Sequence, residues 1–231
     1  MFLNDAFDAG FDLRYRKERP VPSGMIDVKT VWRWGLGWLA LGIVSLACAG
    51  RTTGELGLVL AVCILLYDAI HKVLDFAPVL MGICRFLLYI VAASAGLNGV
   101  TGNSVWCGLA LAAYIVGLSY VARRESRRDV LRYWPLVLLA VPVALAMIMD
   151  TGAYREGALL LSAVLGLWSL RCLRYTLWSE DRNIGLTVSG LLAGIVFVDW
   201  LAVADAPNNA ALVFLGLFLL ALLLQKVVPA T

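Results

Sequence analysis

Ala77-Pro78-Val79-Leu80-Met81-Gly82-Ile83-Cys84-Arg85-Phe86-Leu87-Leu88-Tyr89-Ile90-Val91-Ala92-Ala93-Ser94-Ala95-Gly96 carries a single charge, Arg85. At about 1.5 Å per residue, a helix of this length covers the ~30 Å hydrocarbon core of a bilayer. Comparable apolar runs lie at Val31–Ala49, Glu55–Ile70, Ser104–Ala122, Pro135–Ile148, Gly157–Leu177, Ile184–Val203 and Ala210–Val228. The whole 231-residue chain is 61% hydrophobic and 15% charged, and its mean hydropathy is +0.85. Soluble domains usually hold about 45–50% apolar and 25% charged residues, so an ordinary soluble enzyme is excluded. Disorder is excluded too, because a chain this apolar has ample surface to bury. The expected fold is all-α: a polytopic transmembrane helix bundle of about eight spans.

The charges between the runs set an orientation. Loops on one side of the expected bundle carry sixteen basic residues, and loops on the other carry Arg51 and Arg155. The larger group comprises the N-terminal segment, Lys72, the Arg123–Arg132 loop, Arg171 to Arg182, and Lys226. The positive-inside rule places that side in the cytoplasm. Both termini of a multi-pass protein with eight spans then lie there. Residues 1–30 are expected to form a cytoplasmic segment and residues 31–231 the bundle, together one membrane domain. The net charge of +3 is not gathered on a soluble domain, so no nucleic-acid partner is expected. Cys48, Cys63, Cys84, Cys107 and Cys172 lie in or beside the apolar runs without C-x-x-C spacing. They read as small buried hydrophobes and not as a disulfide framework or a zinc site.

The chemistry concentrates at the start of the chain. Asn4-Asp5-Ala6-Phe7-Asp8-Ala9-Gly10-Phe11-Asp12 has the form N-D-x-x-D-x-x-x-D. At about 100° per residue, Asn4, Asp5, Asp8 and Asp12 share a sector of roughly 100° on a helix. Like charges at this spacing repel unless a cation joins them. Hard oxygen ligands suit Mg²⁺, which a few carboxylates hold while it bridges to substrate phosphates. The spacing alone is equally compatible with a solvated acidic helix face.

Arg19-Pro20-Val21-Pro22-Ser23-Gly24 follows seven residues after Asp12. N-D-x-x-D-x-x-x-D followed by R-P-x-P-S-G resembles the first motif of the UbiA superfamily of intramembrane prenyltransferases. Tyr67-Asp68-Ala69-Ile70-His71-Lys72 is similar to the family's cytoplasmic tyrosine and lysine, and Pro78-Val79-Leu80-Met81-Gly82 stands where its next helix begins. The resemblance implies a helix bundle with a central cavity. It implies Mg²⁺-dependent transfer of a prenyl group from a prenyl diphosphate to a hydrophobic acceptor, aromatic or isoprenoid, within membrane lipid. Asn4, Asp5, Asp8 and Asp12 would then hold the metal. Arg19, Tyr67 and Lys72 would bind the diphosphate, and Arg123 and Arg124 could do so through their guanidinium groups.

Two departures from the family pattern shape the expectations. Where a second aspartate motif would fall, Ile115 and Ala122 occupy the positions, and Glu125 and Asp129 could form a shifted acidic pair. The simpler reading of that stretch is a solvated basic loop. The resemblance also implies two spans ahead of Asn4, so an upstream extension of the reading frame is expected. A chain short of those helices could instead be a non-catalytic membrane protein that binds or moves an isoprenoid lipid on a decayed enzyme scaffold.

Other residues inside the runs call for a role. Arg85 and Asp199 lie in apolar surroundings, where ionisable groups normally face a bundle interior. Arg85 is a candidate for the substrate cavity with Glu125, or for an ion pair with Asp199. His71, the single histidine, is expected at the surface. Trp32, Trp34, Trp106, Trp134, Trp178 and Trp200 fit an aromatic belt. Gly35, Gly37, Gly190 and Gly194 are expected at close helix contacts.

Overall fold

The computed structural model describes residues 2–126, 133–149, 152, 155–177, 183–203 and 209–227. Arg127, Arg128, Asp129, Arg132, Trp178 and Arg182 lie outside the described residues, as do the side chains of Arg124 and Glu125. The described elements are all helical: α1 Phe2–Tyr15, α2 Val28–Ala49, α3 Arg51–Ile70, α4 Ala77–Ala95, α5 Gly102–Ser126, α6 Trp134–Met149, α7 Arg155–Leu177, α8 Ile184–Ala202 and α9 Asn209–Val227. Helices α2 to α9 coincide with the eight apolar runs. Six of them, α2 to α5 with α7 and α8, are long and apolar enough to cross a membrane, while α6 and the apolar part of α9 are shorter.

Local chemistry explains several boundaries. Pro78 stands in the first turn of α4, where a missing N–H costs nothing because those donors have no partner within the helix. The Asn183 side chain caps α8 by accepting from the Leu186 N–H at 2.9 Å, which satisfies one of those orphan donors. Between α2 and α3 only Gly50 intervenes. The two helices therefore turn back tightly, and Gly54 meets Ala47 so closely that a Cβ there would lie 2.9 Å from the Ala47 Cα.

The chain forms two compact units, Met1–Thr101 and Gly102–Thr231. In the first, α3 packs between α2 and α4, and α1 lies across α2 and α3. Leu3 fills the notch at Gly35, where a Cβ would come within 2.8 Å of its Cδ2. Phe7 meets Trp32 edge to face with ring centroids 4.8 Å apart. The Ser94 hydroxyl reaches Thr53 Oγ1 at 3.1 Å and ties α4 to α3. Gly37 has open space around it, so the close contact expected there is absent while the one at Gly35 is present.

In the second unit, α5 packs against α6 and α8, α7 packs against α6 and α8, and α9 adds to α8. Hydrogen bonds between helices hold this core. Tyr114 Oη donates to the Leu191 carbonyl at 2.9 Å, and Trp168 Nε1 donates to the Gly190 carbonyl at 2.8 Å. Thr176 and Thr187 hydroxyls meet at 2.7 Å, and Gln225 Nε2 donates to the Ser189 carbonyl at 2.9 Å. Gly190 touches the Cys172 sulfur and Gly194 touches Tyr114 Oη, so both glycines lie at close contacts. The outward faces carry leucine, valine and tryptophan, including Trp38, Leu41 and Val44 on α2 and Leu219, Leu220 and Leu223 on α9. Such apolar surface over closed helical backbones suits contact with lipid.

Candidate functional site

The site lies in the first unit, on the acidic face of α1. Leu3 and Ala6 anchor that helix in the interior, and Asp8 and Asp12 are buried beside them. Asp8 is 7% exposed and Asp12 is 2% exposed. Buried carboxylates require cations or hydrogen-bond donors, and the surrounding sequence supplies both.

The segment after α1 folds back on it. Ser23 N–H donates to the Arg19 carbonyl at 3.0 Å and Gly24 N–H to the Val21 carbonyl at 3.1 Å. Ser23 Oγ donates to the Pro20 carbonyl at 3.1 Å. Gly24 takes φ 78°, a left-handed conformation that glycine adopts without a Cβ penalty. The R-P-x-P-S-G segment is thus a turn that carries Arg19 back to the acidic face. Arg19 Nη1 lies 2.9 Å from Asp12 Oδ2 and 3.6 Å from Asp5 Oδ1. One guanidinium therefore bridges two acids separated by two helical turns.

The end of α3 approaches the same face from another direction. Lys72 Nζ lies 2.7 Å from Asp8 Oδ1 and 3.9 Å from the centre of the Phe11 ring. His71 stacks on Tyr67 at 5.2 Å between centroids, and its Nε2 is 3.8 Å from Asp8 Oδ1. Its Nδ1 is 3.1 Å from the Asp68 carbonyl oxygen. The histidine is thus packed into the site and not at the surface as expected, because the turn after Ile70 folds its ring back onto α3. Asn4 Nδ2 donates to Asp68 Oδ1 at 3.4 Å. A cavity of about 560 Å³ opens beside these groups, lined by Asn4, Tyr67, Asp68 and Arg85 among Leu60, Ile64, Met81, Cys84 and Leu88.

Asn4, Asp5, Asp8, Asp12, Arg19, Tyr67, Lys72 and Arg85 thus all belong to one region of the first unit. Arg123 is a half-buried residue of α5 in the second unit, and Asp199 belongs to α8 of that unit. The residue that sequence reasoning left without a role is Asp68. It is an acid inside an apolar helix, and that alone is a signal of function.

Among the described residues, no three His, Cys, Asp or Glu side chains converge into a ready metal cluster. Lys72 and Arg19 stand at the carboxylates instead. The donor set is nonetheless all hard oxygen, and Asp12 Oδ1 is buried without a hydrogen-bond partner. Mg²⁺ commonly takes one or two carboxylates and completes its shell with water and substrate phosphate. These residues fit a magnesium ion that completes its shell from other ligands, and they do not form a preassembled cage.

The family model described as the UbiA prenyltransferase family matches residues 1–133, which contain the whole of the first unit. No curated protein and no solved structure matches the chain.

Proposed function

The chain belongs to the UbiA prenyltransferase family, and on that premise we propose that it transfers a prenyl group from a prenyl diphosphate to a lipid-soluble acceptor. The transfer takes place at the cytoplasmic end of the helices, the side favoured by the asymmetry of Lys and Arg. The observation that carries the proposal is the meeting of Asp5, Asp8 and Asp12 with Lys72 and Arg19 on the same helix whose Asn4 lines an apolar cavity of about 560 Å³. That volume is within the usual ligand-pocket range of about 300–1,000 Å³.

Each group has a task. Asn4, Asp8 and Asp12 would hold Mg²⁺ with Asp5 beside them, and the ion would supply charge neutralisation at the diphosphate. Lys72 and Arg19 stabilise the negative charge that builds on the leaving group as the allylic C–O bond breaks. Tyr67 donates a hydrogen bond to the same group. Leu60, Ile64, Met81 and Leu88 hold the prenyl chain and exclude water from the allylic cation. Lys72 and Arg19 pair with Asp8 and Asp12; with a diphosphate bound, the two cations would turn to it and the acids would be free to hold the metal.

The test is diphosphate release from a labelled prenyl diphosphate in membranes containing the chain, with and without Mg²⁺, beside Asp8→Ala. Magnesium-dependent release that Asp8→Ala abolishes supports the enzyme. Binding without release supports the non-catalytic lipid-binding alternative, and equal release by both proteins sinks the assignment.

A further inference from the structure

Asp68 is 8% exposed and stands near the end of α3 beside the cavity. Asp5, Asp8 and Asp12 each have a cationic side chain within 4 Å. No such ion pair reaches the Asp68 carboxylate among the described residues. Its side chain instead accepts the amide N–H of Asn4 across the α1–α3 boundary. Keeping a carboxylate in an apolar helix is expensive, and an alanine or leucine would serve packing better.

The consequence falls on Asn4. An amide side chain presents a carbonyl on one branch and an NH₂ on the other. With Nδ2 turned to Asp68, Asn4 Oδ1 is turned the other way and is available to a cation. Without an acceptor at position 68, the amide would be free to rotate by 180° and present N–H groups, which repel a metal. Partners of this kind, which orient a ligand without touching the metal, typically govern affinity by about 10–100-fold.

We propose that Asp68 is a positioning residue: it fixes the Asn4 amide so that its oxygen faces the magnesium–diphosphate complex. The role rests on the function proposed above and adds to it a residue outside the acidic motif. It also assigns a task to the α3 end beyond that of Tyr67 and Lys72. The acidic face is completed from two helices, and α1 must be docked on α3 before the amide is set.

The test measures binding and not turnover. Farnesyl thiolodiphosphate, an unreactive prenyl diphosphate, is titrated onto the full chain in detergent at increasing Mg²⁺. Asp68→Leu is expected to raise the half-saturating Mg²⁺ concentration by about 10–100-fold. Asp68→Asn keeps an oxygen that accepts from Asn4 and is expected to stay within about three-fold of wild type. The exchanged pair, Asn4→Asp with Asp68→Asn, keeps one amide and one carboxylate across the boundary and is expected to bind far better than Asp68→Leu. A Leu variant within about two-fold of wild type overturns the positioning role, because no orienting contact would then be lost. Equal losses in the Leu and Asn variants overturn it as well, since the charge would then be what matters. Wild-type chain that binds the probe equally with and without Mg²⁺ defeats the prenyltransferase reading itself, a result distinct from either.

Discussion

Lys72→Met, set in a double-mutant cycle with Asp8→Asn, isolates the ion pair that joins α1 to the end of α3. The two atoms are 2.7 Å apart, and the side chains are 32% exposed for Lys72 and 10% for Asp8. A fully buried pair that loses one partner costs about 3–5 kcal/mol, whereas exposed pairs contribute about 0–1 kcal/mol. With one partner buried and the other partly in solvent, Lys72→Met is expected to cost about 1–3 kcal/mol. Asp8→Asn strands only the more exposed cation and is expected to cost less, about 0–1 kcal/mol. The double variant removes both charges, so its cost falls short of the sum by about 1 kcal/mol or more. The assay is reversible unfolding of the full chain in detergent. All three variants are also expected to lose at least about 100-fold in diphosphate release, the usual loss on removing a preorganised charge-stabilising group. A coupling below about 0.3 kcal/mol, within the additivity expected of independent sites, refutes the pair as a clamp. Undiminished release by Lys72→Met refutes its role at the leaving group.

Three other substitutions probe separate parts of the structure. Arg19→Met leaves Asp12, whose side chain is 3% exposed, without its cation, and is expected to destabilise by about 3 kcal/mol in the same unfolding assay. Gly54→Ala forces a Cβ to within 2.9 Å of the Ala47 Cα, which backbone cannot evade cheaply, and a loss of about 1–3 kcal/mol is expected from overpacking, read as a lower Tm. Tyr114→Phe removes the hydrogen bond to the Leu191 carbonyl, with an expected cost of about 1 kcal/mol and no change in Mg²⁺-dependent binding of a prenyl diphosphate.

Much of the fold is legible in the sequence. Span length and composition are properties of single segments, so the apolar runs fixed helices α2 to α9 to within a few residues. The clustering of Asn4, Asp5, Asp8 and Asp12 followed from helical periodicity alone. Arg19 was legible only through the family resemblance that the R-P-x-P-S-G segment carries. What stayed hidden were contacts between distant segments. Nothing local reveals that Lys72 meets Asp8, or that Asp68 accepts from Asn4. His71 looked like a surface residue because it adjoins Lys72 at a helix end, yet its ring stacks on Tyr67. Gly37 and Gly35 are equivalent in sequence, but only Gly35 faces α1. Which side of a helix a neighbour covers is decided by tertiary packing and not by the residue itself.

In the proposed function, the acidic face of α1 recognises a diphosphate through magnesium. Equilibrium binding of farnesyl thiolodiphosphate to the full chain, with Mg²⁺ and with chelator, tests it most directly when Asp12→Ala is measured in parallel. Binding is expected to require Mg²⁺ and to be abolished by Asp12→Ala. Affinity that is the same with chelator as with Mg²⁺, and unchanged by Asp12→Ala, contradicts it.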